Sequence, residues 1–336
     1  MESPRRIAFL DLTCPKPYDS ETASEEAIGG TEATVARVAE GLAEAGLEVS
    51  VAQHNRKYQS QRGKAFYCSL DELAVQKTLH TVIILRSCAG VPWAQTQWPN
   101  AKRILWAHDE SYQDLLVHHD LLADAKCRIL SVSRYHKQKI QDVFLSQLGQ
   151  FPRVTVDYIY NPIADSLAPD ATEWDVGLFV FFSSPHKGLD LTLKHWPRIK
   201  SFYANASLLI ANPGYYEKEV ELPEGVVNVG KLSHPDVLAL VRRAEAVLHF
   251  NAEHPETFGL VHAEANAVGT PVLTSGIGAN REVLTPYRDQ VVDVTSIEAV
   301  LKRLETWRKE GRPQVSCRPE FRQAEVIKKW VEEHKK

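Results

Sequence analysis

Short apolar runs recur along the first half of the chain, with segments of helical periodicity between them. Residues 28–54 combine a glycine turn, a helix, a glycine stop and a strand, and with the apolar run before them they make a β-α-β unit. The later runs hold too few polar residues for an exposed sheet edge and suit a parallel sheet covered by helices; they are residues 80–87, 101–110 and 127–133. The pattern predicts a Rossmann-like α/β domain.

A second set of strands and helices follows a polar stretch at residues 165–175. This stretch comes after an Asn161-Pro162 turn and is the best linker in the chain. We therefore predict a first domain at residues 1–165, a second at residues 166–318, and a terminal helix at residues 319–336. The helix has apolar residues at helical spacing and a polar opposite face. The pattern alone leaves open which domain this helix packs on.

The composition supports two cores and excludes several classes of protein. The chain has 336 residues, enough for two α/β domains of about 150 residues each, and 44% of them are hydrophobic. The net charge is −4 and neither half has an excess of basic residues, so no nucleic-acid partner is expected. Five widely spaced cysteines without a CxxC pair indicate reduced thiols in a cytoplasmic protein. No apolar run reaches the ~20 residues of a membrane span, so any membrane contact is expected to be peripheral.

Residues 251–282 contain the most distinctive group of candidate functional residues. Glu256 precedes Phe258 and Gly259, and a helical run then carries Glu264 before a glycine and a proline end it. The free amides and the positive dipole end at the start of this helix suit a phosphate or diphosphate. Glu256 cannot bind the same anion, but its carboxylate can accept hydrogen bonds from sugar or ribose hydroxyls. The segment predicts a phosphate-plus-polyol ligand, and the plainer interpretation is an ordinary αβ unit with surface glutamates.

This segment closely resembles the Glu-x7-Glu donor-site signature of retaining GT-B glycosyltransferases of family 4, the glycosyl transferases group 1. The matching positions are Glu256, Phe258, Gly259, Glu264, Ala265, Gly269, Pro271, Val272, Gly278 and Glu282. The resemblance implies two Rossmann-like domains facing each other across a cleft, and a last helix that packs back on the first domain. It also implies that Glu256 contacts hydroxyls of the transferred sugar and that Glu264 binds the nucleotide ribose. The amides that it assigns to the diphosphate follow Phe258, at Gly259, Leu260 and Val261.

In the first domain, the resemblance implies roles for a histidine and a glycine pair. His108 follows a strand at its carboxyl end, where ligands bind in open α/β sheets. The family has a histidine near the transferred sugar at this place, and the alternative is an ordinary strand-end histidine. Gly29 and Gly30 precede a helix and resemble the family's glycine-rich loop, which faces the donor phosphate and the acceptor. A glycine pair before a helix is also common where it has only a structural role.

The second domain departs from the family pattern at one phosphate-binding position. The family commonly has an arginine, a short linker and then Lys-Gly, and both cations hold the diphosphate. Lys187 fits the lysine, but Phe182 or Ser183 stands where the arginine is expected. The hydroxyls or amides of Ser183 and Ser184 are the candidates to replace it. Further along, Lys231 and Leu232 lie in a loop that resembles the one contacting the nucleotide base, without deciding between uracil and guanine.

The resemblance therefore predicts a retaining glycosyltransferase that moves a sugar from a UDP- or GDP-linked donor to an unidentified acceptor hydroxyl. The predicted catalytic residues are His108, Glu256 and Lys187. No metal and no cofactor besides the donor is expected, since electrostatic stabilisation of the leaving diphosphate supplies the catalysis. His118, His119 and Asp120 are read as surface residues, because neighbours on a helix point in different directions.

Two alternatives stay open at this stage. One keeps the fold and changes the reaction, as in nucleotide-sugar epimerases or sugar phosphorylases of GT-B architecture. The other is a nucleotide-sugar-binding protein without turnover, which the absent arginine motivates.

Overall fold

The computed structural model describes residues 5–211 and 222–335, and these form two compact units. Of the described residues, the first unit holds 5–21, 30–162 and 323–335, and the second holds 22–29, 163–211 and 222–322. The chain thus leaves the first unit near residue 162 and returns to it at residue 323. A short segment, residues 22–29, groups with the second unit although its neighbours on both sides belong to the first.

Helices and strands alternate along most of the chain. Up to residue 158 the elements are β1 (Arg6–Asp11), α1 (Ser20–Glu25), α2 (Gly30–Glu44), β2 (Glu48–Gln53), β3 (Ser60–Arg62), β4 (Ala65–Ser69), α3 (Leu70–Ala74), β5 (Thr81–Leu85), α4 (Gly90–Gln97), β6 (Lys102–Trp106), α5 (Tyr112–Val117), α6 (His119–Asp124), β7 (Arg128–Ser131), α7 (Arg134–Leu148) and β8 (Val156–Tyr158). From residue 175 they are β9 (Asp175–Phe181), α8 (Leu189–Phe202), β10 (Ser207–Ala211), β11 (Val226–Gly230), α9 (His234–Arg243), β12 (Ala244–His249), α10 (Leu260–Ala267), β13 (Val272–Thr274), α11 (Asn280–Val283), α12 (Tyr287–Gln290), α13 (Ile297–Glu310) and α14 (Gln323–Lys335), with a 3-10 turn at Pro319–Phe321.

An eight-stranded sheet forms the centre of the first unit, in the order β3-β4-β2-β1-β5-β6-β7-β8. Its neighbours are parallel except for β3 and β4, which pair antiparallel at one edge. The strand order reverses at β1, which pairs with β2 on one side and β5 on the other. Ligands of open α/β sheets bind outside the carboxyl ends of the strands at such a switch point. The loops after β1 and β5 therefore mark the candidate site of this unit.

A five-stranded parallel sheet forms the centre of the second unit, in the order β11-β10-β9-β12-β13. Its strand order reverses at β9, which lies between β10 and β12. Val180 of β9 pairs with Val247 of β12, so the two strands end side by side. The loops that follow them, residues 182–188 and 250–259, consequently meet at the switch point of this sheet. The α/β class predicted from the sequence is confirmed, and so are the parallel sheets, apart from the antiparallel β3–β4 edge of the first sheet.

The terminal helix α14 belongs to the first unit, as the resemblance implied. Its Trp330 is fully buried and meets the Trp106 ring edge-on, with 4.8 Å between ring centroids. At the next turn Glu333 pairs with Lys102 at 2.7 Å and also contacts Arg128. Apolar burial and these ion pairs together fix the helix on the sheet, which the amphipathic pattern alone could not assign.

The sequence predicted reduced thiols and contained no apolar run long enough for a membrane span. All five cysteines are free in the structure. Among the described residues, every helix is too short or too polar to span a bilayer.

We expect Trp330→Ala to lower the free energy of unfolding by about 3–5 kcal/mol, because it leaves a cavity beneath α14. The matched control is Lys328→Ala on the same helix, whose exposed side chain lies 4.0 Å from Glu325. A surface ion pair of this kind contributes about 0–1 kcal/mol. Urea denaturation followed by circular dichroism measures both variants. Equal small losses would show that α14 adds little packing energy to the first unit.

A second prediction concerns Gly188, which precedes α8 with φ +98° and ψ 12°. A Cβ atom there would lie 2.4 Å from the carbonyl oxygen of Phe250, so the loops after β9 and β12 could not approach each other. Gly230 in the same unit also has a positive φ, +76°, but a Cβ there meets nothing within 4 Å among the described residues.

We expect Gly230→Ala to cost about 1 kcal/mol through its backbone conformation alone. Gly188→Ala should cost about 1–3 kcal/mol more, through steric strain against backbone that cannot move freely. The measurement is the unfolding midpoint of the second unit for both variants. A Gly188→Ala protein as stable as Gly230→Ala would contradict the close approach of the two loops.

Candidate functional site

The switch point of the second sheet brings together the two charged residues predicted for catalysis there. Lys187 lies in the loop between β9 and α8, and Glu256 lies in the loop after β12. Lys187 Nζ donates to Glu256 Oε2 at 2.8 Å. The residues are far apart along the chain and meet because β9 and β12 are hydrogen-bonded neighbours.

Glu256 is ionised although it is buried, with 8% of its surface exposed. Burial alone would raise the pKa of this carboxyl group, but Lys187, with smaller effects of His249 and His262, lowers the pKa to about 2. A carboxylate taken out of water needs such a partner, because an unpaired buried charge is costly. Glu256 can therefore accept hydrogen bonds from hydroxyl groups over the whole physiological pH range.

A glycine loop after β13 holds the backbone of Glu256. The amide of Ala279 donates to the Glu256 carbonyl oxygen at 2.8 Å. A Cβ atom on Gly278, where φ is +69°, would lie 2.5 Å from the Glu256 amide nitrogen. A glycine loop of this kind can offer backbone amides to an anion at close range. The amide of Ala279 instead binds Glu256, so at this position the loop supports the carboxylate.

Helix α10 begins directly after Gly259 and carries the second glutamate of the predicted signature. Within the described residues no side chain caps its first turn. The amides of a first helical turn have no intrahelical carbonyl partner, so those at Leu260 and Val261 are suited to an anion. Phe258, just before, is buried and meets the Phe321 ring edge-on at 5.2 Å. It contributes packing that fixes where the helix starts.

Glu264 has a partner that the sequence analysis missed. His234, the first residue of α9, places its Nε2 atom 2.9 Å from Glu264 Oε1. Lys231 and Leu232, the predicted base-contacting residues, lie in the loop between β11 and α9, three residues or fewer before this histidine. His234 could have been found from its place in the same GKLSHPD segment, but nothing in the local pattern points to a partner in α10.

Ser183 and Ser184 lie in the loop after β9, at the place of the absent arginine. Both are buried, and the Ser184 carbonyl oxygen accepts the Lys187 amide at 2.9 Å to close a turn. The loop thereby points Lys187 toward Glu256. Whether the two hydroxyls replace the arginine on a diphosphate stays a prediction.

Two buried histidines behind Glu256 were also missed. His249 ends β12, with its Nε2 atom 3.7 Å from Glu256 Oε1. His262 in α10 meets the His249 ring edge-on at 4.6 Å. Burial lowers the pKa of His249 to about 3 and that of His262 as well. The signal for His249 in the sequence is a polar residue inside the otherwise apolar run of residues 246–250.

The first unit has its own polar group around the switch point of its sheet. Arg86, just after β5, lies 3.2 Å from a carboxylate oxygen of Glu32 in α2 and 3.2 Å from one of Asp109 after β6. Arg86 adopts a left-handed backbone with φ +63°, which is uncommon for a residue with a side chain. Arg86 was not predicted as a site residue, since an arginine after a strand is not distinctive in sequence.

His108 lies beside this group, after β6. It is buried against Trp106, with 4.4 Å between the rings. Burial, then the charge of Arg86, holds the pKa of His108 well below its usual range. The imidazole is therefore neutral at physiological pH and can act through hydrogen bonds, not as an acid. Gly30 begins α2 in this unit, whereas Gly29 groups with the second unit.

A thiol, a carboxylate and an imidazole also meet in the first unit, within 4.8 Å of one another: Cys88, Asp114 and His118. The Cys88 amide donates to Asp114 Oδ2 at 2.7 Å, and His118 Nδ1 lies 3.0 Å from Asp114 Oδ1. His118, expected at the surface, lies between α5 and α6 and is partly covered by its partner in α5. These bonds tie the loop after β5 to α5. That sugar transfer requires no metal ion remains a prediction.

The second unit is similar in sequence to known proteins. Residues 172–323 match the model of the family Glycosyl transferases group 1. The chain is 33% identical over 105 residues to the glycogen synthase of Mycobacterium tuberculosis, a match that covers 29% of this chain and 25% of that enzyme. It is 27% identical over 130 residues to a GDP-mannose-dependent monoacylated alpha-(1-6)-phosphatidylinositol monomannoside mannosyltransferase of Corynebacterium glutamicum, covering 36% of this chain and 34% of the relative. Each match therefore spans about a third or less of the curated relative.

A solved structure extends the likeness to both units. The Anabaena protein HepE, crystallised in complex with UDP and glucose, has a TM-score of 0.68 to this chain. The superposition covers 98% of this chain and 99% of HepE at 14% sequence identity, which shows the fold alone. Residues 172–323 of this protein therefore form a glycosyl transferases group 1 domain, in a chain that has the GT-B fold.

Proposed function

We propose that this chain is a retaining glycosyltransferase, which moves a sugar from a nucleotide-diphosphate sugar to an acceptor hydroxyl without a metal ion. The observation that carries the proposal is the Lys187–Glu256 ion pair at the switch point, inside the domain that matches the family. A cation for the diphosphate and a carboxylate for the sugar hydroxyls lie side by side there. This pair supports the phosphate-plus-polyol ligand that the sequence predicted.

Each end of the donor has residues suited to it. Glu264, oriented by His234 at 2.9 Å, would accept hydrogen bonds from the ribose. The uncapped first turn of α10 and Lys187 would hold the diphosphate. Glu256 would bind hydroxyls of the transferred sugar. Lys231 and Leu232 are proposed to face the base, and relatives whose names include GDP-mannose and UDP leave the nucleotide open.

The chemistry proposed for this site is electrostatic. Negative charge grows on the β-phosphate as the bond to the anomeric carbon breaks, and Lys187 and the α10 amides would stabilise it. Neutral His108 would position or polarise the sugar through a hydrogen bond, and Gly29 and Gly30 would face the phosphate and acceptor. The acceptor hydroxyl attacks from the side that the diphosphate leaves, and the phosphate helps to remove its proton. Neither His108 nor Glu256 is proposed as a covalent nucleophile.

The first test is a thermal-shift and calorimetric screen against UDP, GDP, ADP and their common sugar conjugates. A ligand at about 100 times its Kd stabilises the folded state by about 2.7 kcal/mol, so one nucleotide class should raise the melting temperature. Binding to none of them would contradict the proposal and make the absent arginine decisive. Sugar release without any acceptor would favour a hydrolase, epimerase or phosphorylase.

Two glutamate variants should separate the parts of the donor. Glu264→Gln should weaken binding of the free nucleotide diphosphate about 10–100-fold, since a charge-assisted hydrogen bond contributes about 1.5–3 kcal/mol. Glu256→Gln should keep or tighten that affinity, because Lys187 is no longer held in an ion pair, but it should remove any preference for the sugar conjugate. Glu253→Gln changes an exposed glutamate of the same loop and serves as the control. Calorimetric Kd values measure all three, and equal effects of the two glutamates would contradict the assignment.

Lys187→Ala should lower kcat about 100–1000-fold with the protein still folded, as expected for the loss of one group that stabilises charge in the transition state. Glu256→Ala should abolish transfer. The measurement is release of the nucleotide diphosphate from the donor that the screen identifies, with circular dichroism as the check on folding. Full activity in either folded variant would remove the assigned role.

A further inference from the structure

His249 is a buried imidazole without a hydrogen bond among the described residues. It is 1% exposed, and neither ring nitrogen has a hydrogen-bond partner there. On one face the ring stacks on Phe181, at 6.1 Å and an interplanar angle of 8°. Its Nε2 atom is 3.7 Å from Glu256 Oε1, too long for a hydrogen bond but within the range of an ion pair. Buried polar groups nearly always have partners, so this arrangement calls for an explanation.

The surroundings of His249 contain several other groups that carry or take up charge. The loop before α8 contributes Lys187 and the exposed His186, and the loop after β12 contributes Glu256 and the exposed His254. Helix α10 contributes His262. In the structure Lys187 neutralises Glu256 at 2.8 Å, and no second cation is needed. Burial, His262 and Lys187 together keep His249 neutral in this arrangement.

Donor binding would change this balance of charge. The diphosphate of a nucleotide sugar brings two negative charges, and Lys187 is the side chain proposed to meet them. As Lys187 turns to the phosphate, Glu256 stays buried without its cation, which is costly. The uncovered carboxylate also favours the charged form of an imidazole within a few ångströms. The Glu256 oxygen facing His249 is not the one that Lys187 holds, so the imidazole can approach without displacing the lysine.

We propose that His249 takes up a proton from solvent when the diphosphate of the donor draws Lys187 away from Glu256, and that it then holds this carboxylate ionised and oriented toward the sugar. His249 is in this view a positioning residue, which acts through Glu256. The inference rests on the proposed function, since it assumes that the donor diphosphate binds Lys187. His262, 4.6 Å away, limits the uptake to about one proton, because two adjacent imidazolium ions repel each other.

The sign of the pH dependence follows from this step. Without the donor, His249 is neutral above its pKa of about 3, whereas in the complex it is a positively charged imidazolium. Donor affinity is therefore highest at low pH and falls as the pH rises toward the higher pKa of the complex, by at most about tenfold per pH unit for one proton. The proton comes from the buffer, which is left in its basic form.

Titration calorimetry with the donor sugar conjugate tests the proposal, in phosphate and in Tris at the same near-neutral pH. The conjugate is preferred to the free nucleotide because its doubly substituted diphosphate does not titrate near neutral pH. A wild-type binding enthalpy that differs between the two buffers, with the sign of uptake, is the expected result. His249→Phe keeps the ring contacts with Phe181 and His262, and it should remove both the buffer difference and the fall of affinity with pH. His249→Gln provides a second variant if the first does not fold.

His254→Ala and His186→Ala are the matched controls, since each removes an exposed imidazole near Glu256, and both should keep the buffer difference. Wild-type binding with equal enthalpy in the two buffers would overturn the inference and leave the proposed function standing. A buffer difference that persists in both His249 variants, or disappears in His186→Ala, would assign the proton to another group and also overturn it. If no sugar conjugate binds, the proposed function and this inference fall together.

Discussion

The ion pair between Lys187 and Glu256 is the interaction on which the second unit depends for its site. Its two residues come from loops after neighbouring parallel strands, so the pair exists only while β9 and β12 keep their register. The carboxylate could not stay ionised at this depth without a cation beside it, because burial opposes its charge, and in the structure that cation is Lys187. Gly188 and Gly278 let backbone approach backbone on both sides of the pair. The site therefore depends on the order of the strands and on the space that these two glycines leave for the neighbouring backbone.

The two units use the same physical solution with different charges. In each, a parallel sheet directs the loops after its strands to one edge, and the reversal of strand order opens room between two of them. The second unit places a lysine, two glutamates and uncapped amides there, which suits a phosphate and a polyol. The first unit places Arg86 between Glu32 and Asp109, beside the neutral His108. Fold alone does not distinguish them, and the side chains after the strands do.

Much of the fold and part of the site could be predicted from the sequence. Apolar runs predicted the strands, because strands buried on both faces of a parallel sheet are mostly apolar. Glu256 and Glu264 could be named because their spacing on one loop and helix is local, and so is the place of Lys187 before Gly188. The domain matched by the family, residues 172–323, coincides with the segment where these local patterns are densest. The local sequence pattern is sufficient to predict functional residues that lie close together on one loop or helix.

Only the tertiary structure decided which residues are partners. His249, His234 and Arg86 were missed because their partners lie on other strands or helices, and a single histidine or arginine carries no local signal of a distant carboxylate. The same reason explains the loop at Gly278. Its glycines suit a loop whose amides bind an anion, but in the structure the Ala279 amide donates to the backbone carbonyl of Glu256. The sequence by itself determined most of the strands and helices, the fold class and the signature glutamates, since these follow from periodicity and local spacing. Packing decided the pairing of charges and the burial that sets their pKa values, because both depend on distances across the chain.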